Sequence, residues 1–257
     1  MNLRLSVVTL SLLAAAAVSS HAGTIVVPPS LDETGGTSTA FRSLPRTYMA
    51  LYTSVNFTAL TGPTLLTGLQ LRISASGNET LPATWPSQTL SFASFDIQLS
   101  QASASLLADG EFLSSAVTFA SQQAAGTVKT VRSGNLAIPT ASFENTGSEN
   151  AFGLLINFST PYLYTPGQSL LLYLTHTGYT PSGEPQPFFA STDYENGTTD
   201  AISSTVGYQA ATASGFSSPY IVQFTTAAVP EPGSMLMLAA GVAGLLALNR
   251  RRALAQA

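Results

Sequence analysis

Hydrophobic residues recur at every second position through most of this chain. In Leu69-Gln70-Leu71-Arg72-Ile73-Ser74 the apolar Leu69, Leu71 and Ile73 share one face, and Gln70, Arg72 and Ser74 share the other. That alternation is the mark of a half-buried β-strand. Phe95-Asp96-Ile97-Gln98-Leu99-Ser100 repeats it, with Phe95, Ile97 and Leu99 inward. The same period groups Met49, Leu51, Val55 and Phe57 across Tyr48–Phe57, then Phe152, Leu154, Ile156 and Phe158 across Ala151–Phe158. It also groups Leu170, Leu172 and Leu174 across Ser169–His176. Shorter strands are expected at Val117–Ala120, Thr127–Arg132, Asn135–Ile138, Ser203–Gln209 and Tyr220–Thr225. Turn-forming clusters such as Thr61-Gly62-Pro63, Ser76-Gly77-Asn78 and Thr165-Pro166-Gly167 separate them. Gln101–Phe112, rich in Ala, Ser and Leu, reads as a short helical turn. Many short strands with one apolar face predict an all-β fold, an antiparallel β-sandwich of jelly-roll-like type. A parallel sheet buried on both faces would lack the polar positions.

The two ends break this pattern. Met1–Ala22 has Arg4 near its start, an apolar core from Leu5 to Val18, and Ser20-His21-Ala22 as a small-residue cleavage site. This is the form of a secretory signal peptide cut between Ala22 and Gly23, and it implies the Sec export machinery as a partner. At the other end, Val229-Pro230-Glu231-Pro232 precedes an uncharged stretch, Gly233 to Asn249, and then Arg250-Arg251-Arg252. As a helix that stretch would rise about 26 Å, close to the roughly 30 Å of a bilayer's hydrocarbon core. A transmembrane helix is expected there, with the arginines cytoplasmic and the body outside. The two prolines keep the preceding segment extended, leaving Glu231 accessible. The domain plan is thus a signal peptide over 1–22, a β-sandwich over 23–227 and a sorting segment over 228–257.

The succession of Pro-Glu-Pro, apolar helix and arginine cluster resembles the PEP-CTERM sorting signal of Gram-negative bacteria. The resemblance implies export, transient residence in the inner membrane, and processing by an exosortase before delivery to the cell surface or the extracellular space. Parts of the body are similar to a β-sandwich domain that recurs in PEP-CTERM proteins. They are Thr24-Ile25-Val26-Val27-Pro28, the run from Arg46-Thr47-Tyr48 through Leu69–Ile73, and Asn157–Gly167 leading into Ser169–Leu172. That domain brings no catalytic residues with it.

Composition narrows the chemistry. The absence of cysteine excludes disulfides, thiolate metal sites and cysteine nucleophiles. From Gly23 to Val229 five basic residues face twelve acidic ones, a net of −7 against −4 for the whole chain. No basic footprint for nucleic acid exists, and no motif calls for a cofactor. Solubility rests on Ser, Thr, Asn and Gln, as suits a protein living among polysaccharide.

His176 is the one histidine left once the signal peptide with His21 is removed, and no Gly-x-Ser-x-Gly elbow accompanies the many serines. Asp96, Asp109 and Glu111 are candidate carboxylates for a glycosidase pair, though nothing in their spacing shows that any two come within catalytic distance. Asp193, Glu195 and Asp200 gather oxygen ligands around a Gly turn, a weak candidate for Ca²⁺ without EF-hand spacing. Trp85, Tyr162, Tyr164 and Tyr194 are candidate sugar-stacking aromatics. Asn-x-Ser/Thr triplets occur at Asn56, Asn78, Asn157 and Asn196. Three functions remain open: a non-enzymatic surface or matrix protein, a carbohydrate-binding module for extracellular polysaccharide, and a glycoside hydrolase.

Overall fold

A computed structural model describes residues 23–29, 39–109, 118–147, 149–190, 201–213, 215–217 and 219–229, together with Gly241. The strands are β1 (Gly23–Val27), β2 (Arg46–Tyr52), β3 (Thr64–Leu71), β4 (Thr84–Trp85), β5 (Leu90–Phe92), β6 (Phe95–Gln101), β7 (Lys129–Arg132), β8 (Leu136–Ile138), β9 (Phe143–Glu144), β10 (Ile156–Tyr164), β11 (Leu170–His176), β12 (Tyr179–Thr180), β13 (Ala201–Val206), β14 (Gly215–Ser217) and β15 (Val222–Ala228). Two short helices, α1 (Ala104–Asp109) and α2 (Phe119–Gln122), lie between β6 and β7. The fold is all-β.

The strands form a four-stranded sheet in the order β1-β15-β3-β10 and a six-stranded sheet in the order β14-β13-β2-β11-β6-β7. Two small sheets, β12-β5-β8 and β4-β9, complete the set. Pairing is antiparallel and nested. β1 pairs with β15, β2 with β11, β3 with β10 and β6 with β7. Gly23 consequently lies opposite Thr226. These two residues also bound a compact unit, Gly23–Thr226.

Alternation decides which residues meet between the sheets, because successive side chains point to opposite faces. Ile25, Val27, Leu66, Leu69, Ile156, Val222 and Phe224 from the four-stranded sheet share one core with Tyr48, Ala50, Tyr52, Ile97, Leu99, Leu172 and Leu174 from the six-stranded sheet. β2 and β11 are apolar on their other face as well. There Met49, Leu51 and Leu171 make a second cluster with Leu106 of α1, Phe119 of α2 and Ala213. The helical turn expected in Gln101–Phe112 is α1, and its Leu106 plugs this outer face. Of the strand expected at Val117–Ala120, Val117 lies outside the described residues, and Thr118–Ala120 do not form a strand. Thr118 caps α2 by accepting a hydrogen bond from the Ser121 amide, which turns the following residues into a helix.

The strand expected across Tyr48–Phe57 ends at Tyr52 and gives way to a 3₁₀ turn, Ser54–Phe57. Its tighter winding breaks the period of two. Val55 is 63% exposed while Phe57 is buried against the Tyr164 ring at 4.4 Å. The strand expected over Ala151–Phe158 starts later, at Ile156, and runs through Pro161 to Tyr164 across a register shift between Asn157 and Tyr162. Strands tolerate proline at such irregularities.

Part of the core is filled by aromatic rings, among them Trp85, Phe92 and Phe143 of the small sheets. Phe41 touches Trp85, Phe92, Phe95, Phe143 and Phe189 at centroid distances of 5.1–6.4 Å. Gly153 packs flat against Phe143, where an added Cβ would come within 2.1 Å of the ring. Gly178 adopts φ +84°, and a Cβ there would meet the Ser43 carbonyl at 2.2 Å, so both the conformation and the space demand glycine. Trp85→Ala is expected to cost about 3–5 kcal/mol of stability, whereas Leu163→Ala, at a position 51% exposed, should stay within about 0.5 kcal/mol. Urea denaturation of the two variants checks the contrast.

Candidate functional site

Asp96 is the second residue of β6, on its polar face, but it is not a solvated surface carboxylate: it is 7% exposed. The Ser133 hydroxyl and the Gly134 amide donate to Oδ1 at 2.7 and 3.0 Å, the Ser94 hydroxyl reaches both oxygens, and the Tyr208 hydroxyl donates to Oδ2. Burial by itself would raise the Asp96 pKa. The hydrogen bonds from Tyr208, Ser133, Gly134 and Ser94 outweigh burial and hold it below the ordinary carboxylate value. A carboxylate held ionised by four donors serves as an acceptor hub and is ill suited to general-acid work. Arg132 donates to the carbonyls of Phe95, Gly134 and Asn135, fixing the same turn from its other side.

His176 ends β11 fully buried. Its Nδ1 accepts from the Gly178 amide at 3.0 Å, and its ring stacks on Phe95 at 5.8 Å with 7° between planes. Burial pushes its pKa down to about 3, so it is a neutral core ring. Glu184 is also buried, and Oε1 accepts from the Ser87 and Gln88 amides at 3.1 Å. The acids and the histidine described here are therefore engaged in holding turns. Side-chain detail for Asp109 and any placement for Glu111 lie outside the described residues.

The candidate stacking aromatics do not form a platform. Trp85 has no exposed surface, and its Nε1–H donates to the Pro185 carbonyl at 2.8 Å. Tyr162 and Tyr164 are buried under the four-stranded sheet, and burial raises the Tyr164 hydroxyl pKa to about 12. An alternating strand sends a lone large aromatic inward wherever the opposite sheet offers room, and sequence does not tell that from a ring on display. Tyr194, Asp193, Glu195 and Asp200 lie outside the described residues. Among the sequons, Asn56 and Asn78 are buried; the Asn78 amide holds the Ser74 and Phe188 carbonyls at 2.7 and 2.9 Å. A cavity of about 10 Å³ between Tyr48, Ala50, Leu69 and Leu172 is too small for an organic ligand.

The polar network that the sequence did not single out lies on the outer face of the six-stranded sheet. Thr47 and Thr175 hydroxyls pair at 2.9 Å. They accept from the amides of Ala210 and Gln209 at 3.1 and 2.7 Å, clamping the 207–210 turn onto the sheet. Two facing threonines in adjacent strands were visible as residues; only the β2–β11 register makes them a pair.

At the C-terminal side, β15 ends at Ala228 and Val229 follows directly. Pro230, Glu231, Pro232, Gly233–Asn249 with its expected transmembrane helix apart from Gly241, and Arg250–Arg252 lie outside the described residues, as does the expected signal peptide up to Ala22. Among the described residues no helix is long and apolar enough to cross a membrane. Residues 228–252 match the family model described as the PEP-CTERM protein-sorting motif. No curated protein and no solved structure matches the chain. The chain thus carries a PEP-CTERM sorting motif. The motif marks an exported protein, with an exosortase as its processing partner.

Two pH-dependent outcomes follow from the buried groups. The folded His176 pKa, about 3, lies below its ordinary value of 6.5, so its contribution is complete above pH 6.5 and is lost as pH falls toward 3. Asp96, also depressed, contributes above the ordinary carboxylate value and loses that contribution at lower pH still. His176→Gln should flatten the fall in unfolding free energy between pH 6.5 and 4, measured by urea denaturation at a series of pH values. An unchanged slope would contradict the buried neutral ring. Asp96→Asn should cost about 1–3 kcal/mol at neutral pH.

Proposed function

We propose that this protein is a non-catalytic component of the cell surface or extracellular matrix, delivered there by its C-terminal signal. The observation that carries the reading is the sorting-motif match over residues 228–252, starting where the last strand of the body ends. In this reading Met1–Ala22 directs Sec-dependent export and is removed before Gly23. Gly233–Asn249 spans the inner membrane as a helix with Arg250–Arg252 inside, and an exosortase cuts near the Pro230-Glu231-Pro232 segment. The apolar length of Gly233–Asn249 and the arginines after it support the anchor.

The body is read as a jelly-roll sandwich. In that topology the first strand pairs with the eighth, the second with the seventh, the third with the sixth and the fourth with the fifth. β1, β2, β3, β6, β7, β10, β11 and β15 taken in chain order pair in that way, and β13-β14 extends the sheet beyond β2. The engagement of Asp96, His176 and Glu184 in holding turns supports a binding or structural role over hydrolysis.

Intact-mass measurement on fractions of the native cells tests the reading. The expected species lacks residues 1–22 and the segment beyond the Pro-Glu-Pro motif, and sits in the surface or matrix fraction. Replacing Pro230-Glu231-Pro232 by three alanines should leave the uncut form in the inner membrane. A wild-type mass that retains Arg250–Arg252 in the inner membrane would mean a permanent anchor and would sink the processing step.

A further inference from the structure

On the outer side of the six-stranded sheet, the register sets three rows between β11 and β6: Thr175 opposite Asp96, Tyr173 opposite Gln98, and Leu171 opposite Ser100. Residues directly opposite point the same way, and Leu170, Leu172 and Leu174 point into the core. Among the described residues, α1 and α2 cover the Leu171 end of this face, and the cover stops at Tyr173. Its ring is half-buried and meets Phe119 edge-on at 5.8 Å. Beyond it stands the 207–210 turn with Tyr208 half-buried and Gln209 exposed.

We propose that this face, from α2 to the 207–210 turn, binds uncharged polysaccharide, with Tyr173 and Tyr208 as stacking rings and Gln98 and Gln209 as partners for sugar hydroxyls. Tyr208 is built to keep its plane. Its hydroxyl bonds Asp96, lies 2.9 Å from Ser94 Oγ, and accepts from Gln209 Nε2 at 3.0 Å. A ring pinned at its polar tip leaves a fixed apolar face beside polar groups, as the C–H and O–H faces of a pyranose require. Gln209 holds φ 53°, a left-handed conformation that costs energy in any residue but glycine. The clamp on Thr175 and Thr47 sustains it, and it projects the amide beside the Tyr208 ring. Glutamine supplies donor and acceptor together, the match for a sugar hydroxyl.

Polar capacity is also left over under α2. Ser100 Oγ and Gln122 Oε1 are buried and have no hydrogen-bond partner among the described residues. Such atoms are costly to leave unmet, and Ser100 lies one row from Gln98 and Tyr173, so unspent polar capacity borders the open part of the face. The ligand's neutrality follows from the charges at this face. Asp96 spends its oxygens on its own four donors, and Arg132 spends its guanidinium on backbone carbonyls. Neither offers a free charge to a uronate or a phosphate.

Affinity electrophoresis of the full-length protein tests this, in gels containing laminarin, dextran, galactomannan or alginate. Retardation by at least one of the three neutral polymers is expected. Tyr208→Ala and Gln98→Ala should each weaken it roughly tenfold, about 1.4 kcal/mol. The Gln98 side chain has no internal hydrogen bond among those described, so Gln98→Ala keeps the test valid if Tyr208→Ala unfolds the turn. No retardation in the three neutral gels, retardation by alginate alone, or equal retardation of Gln98→Ala and wild type would each overturn the proposal. None of these results bears on how the C-terminal signal is processed.

Discussion

Every feature of the body depends on antiparallel pairing between strands remote in sequence. Gly23 faces Thr226, and Arg46 faces His176. Each pairing closes a long loop before any contact rewards it, so the fold is held by hydrophobic burial between sheets more than by local propensity. A one-residue slip in any pair would turn the inward leucines outward. The buried residues of β2, β3, β10 and β11 are therefore a single constraint, with register and core composition fixing each other.

The polar residues serve that constraint at the ends of the strands, where backbone groups leave the ladder. Asp96 gathers the turn after β7 and the turn after β13 onto the start of β6. Asn78 ties the loop after β3 to Phe188, Glu184 ties the Ser87–Gln88 turn, and Arg72 ion-pairs Glu149 at 2.6 Å. With so few charges, the chain uses buried carboxylates and amides as clasps.

The alternating strands were legible because the core between the sheets imposes a period of two on the large apolar residues, as in Phe95, Ile97 and Leu99 of β6 and Leu170, Leu172 and Leu174 of β11. Where both faces are buried, or where a capping threonine diverts the chain, the period misleads. Tyr48–Phe57 divides into a strand and a 3₁₀ turn, and Thr118 starts a helix inside an expected strand. The aromatics read as a sugar platform were visible as residue types, yet alternation alone does not say which face of a strand meets the other sheet. Trp85 and Tyr164 went inward, while Tyr173 and Tyr208 stayed at the surface.

What the sequence determined by itself is the all-β class and export through a C-terminal sorting motif. Period-two hydrophobicity is a local property, and a sorting signal is read as a linear string, so neither needs a fold to be recognised. The tertiary structure decided the nested pairing of the strands, the use of Asp96 and His176 as buried supports, and the joining of Thr47, Thr175, Tyr208 and Gln209 into one cluster. Those outcomes rest on register between strands far apart in the chain. Register is set by the packing of two whole sheets against each other, and no short window of residues contains it.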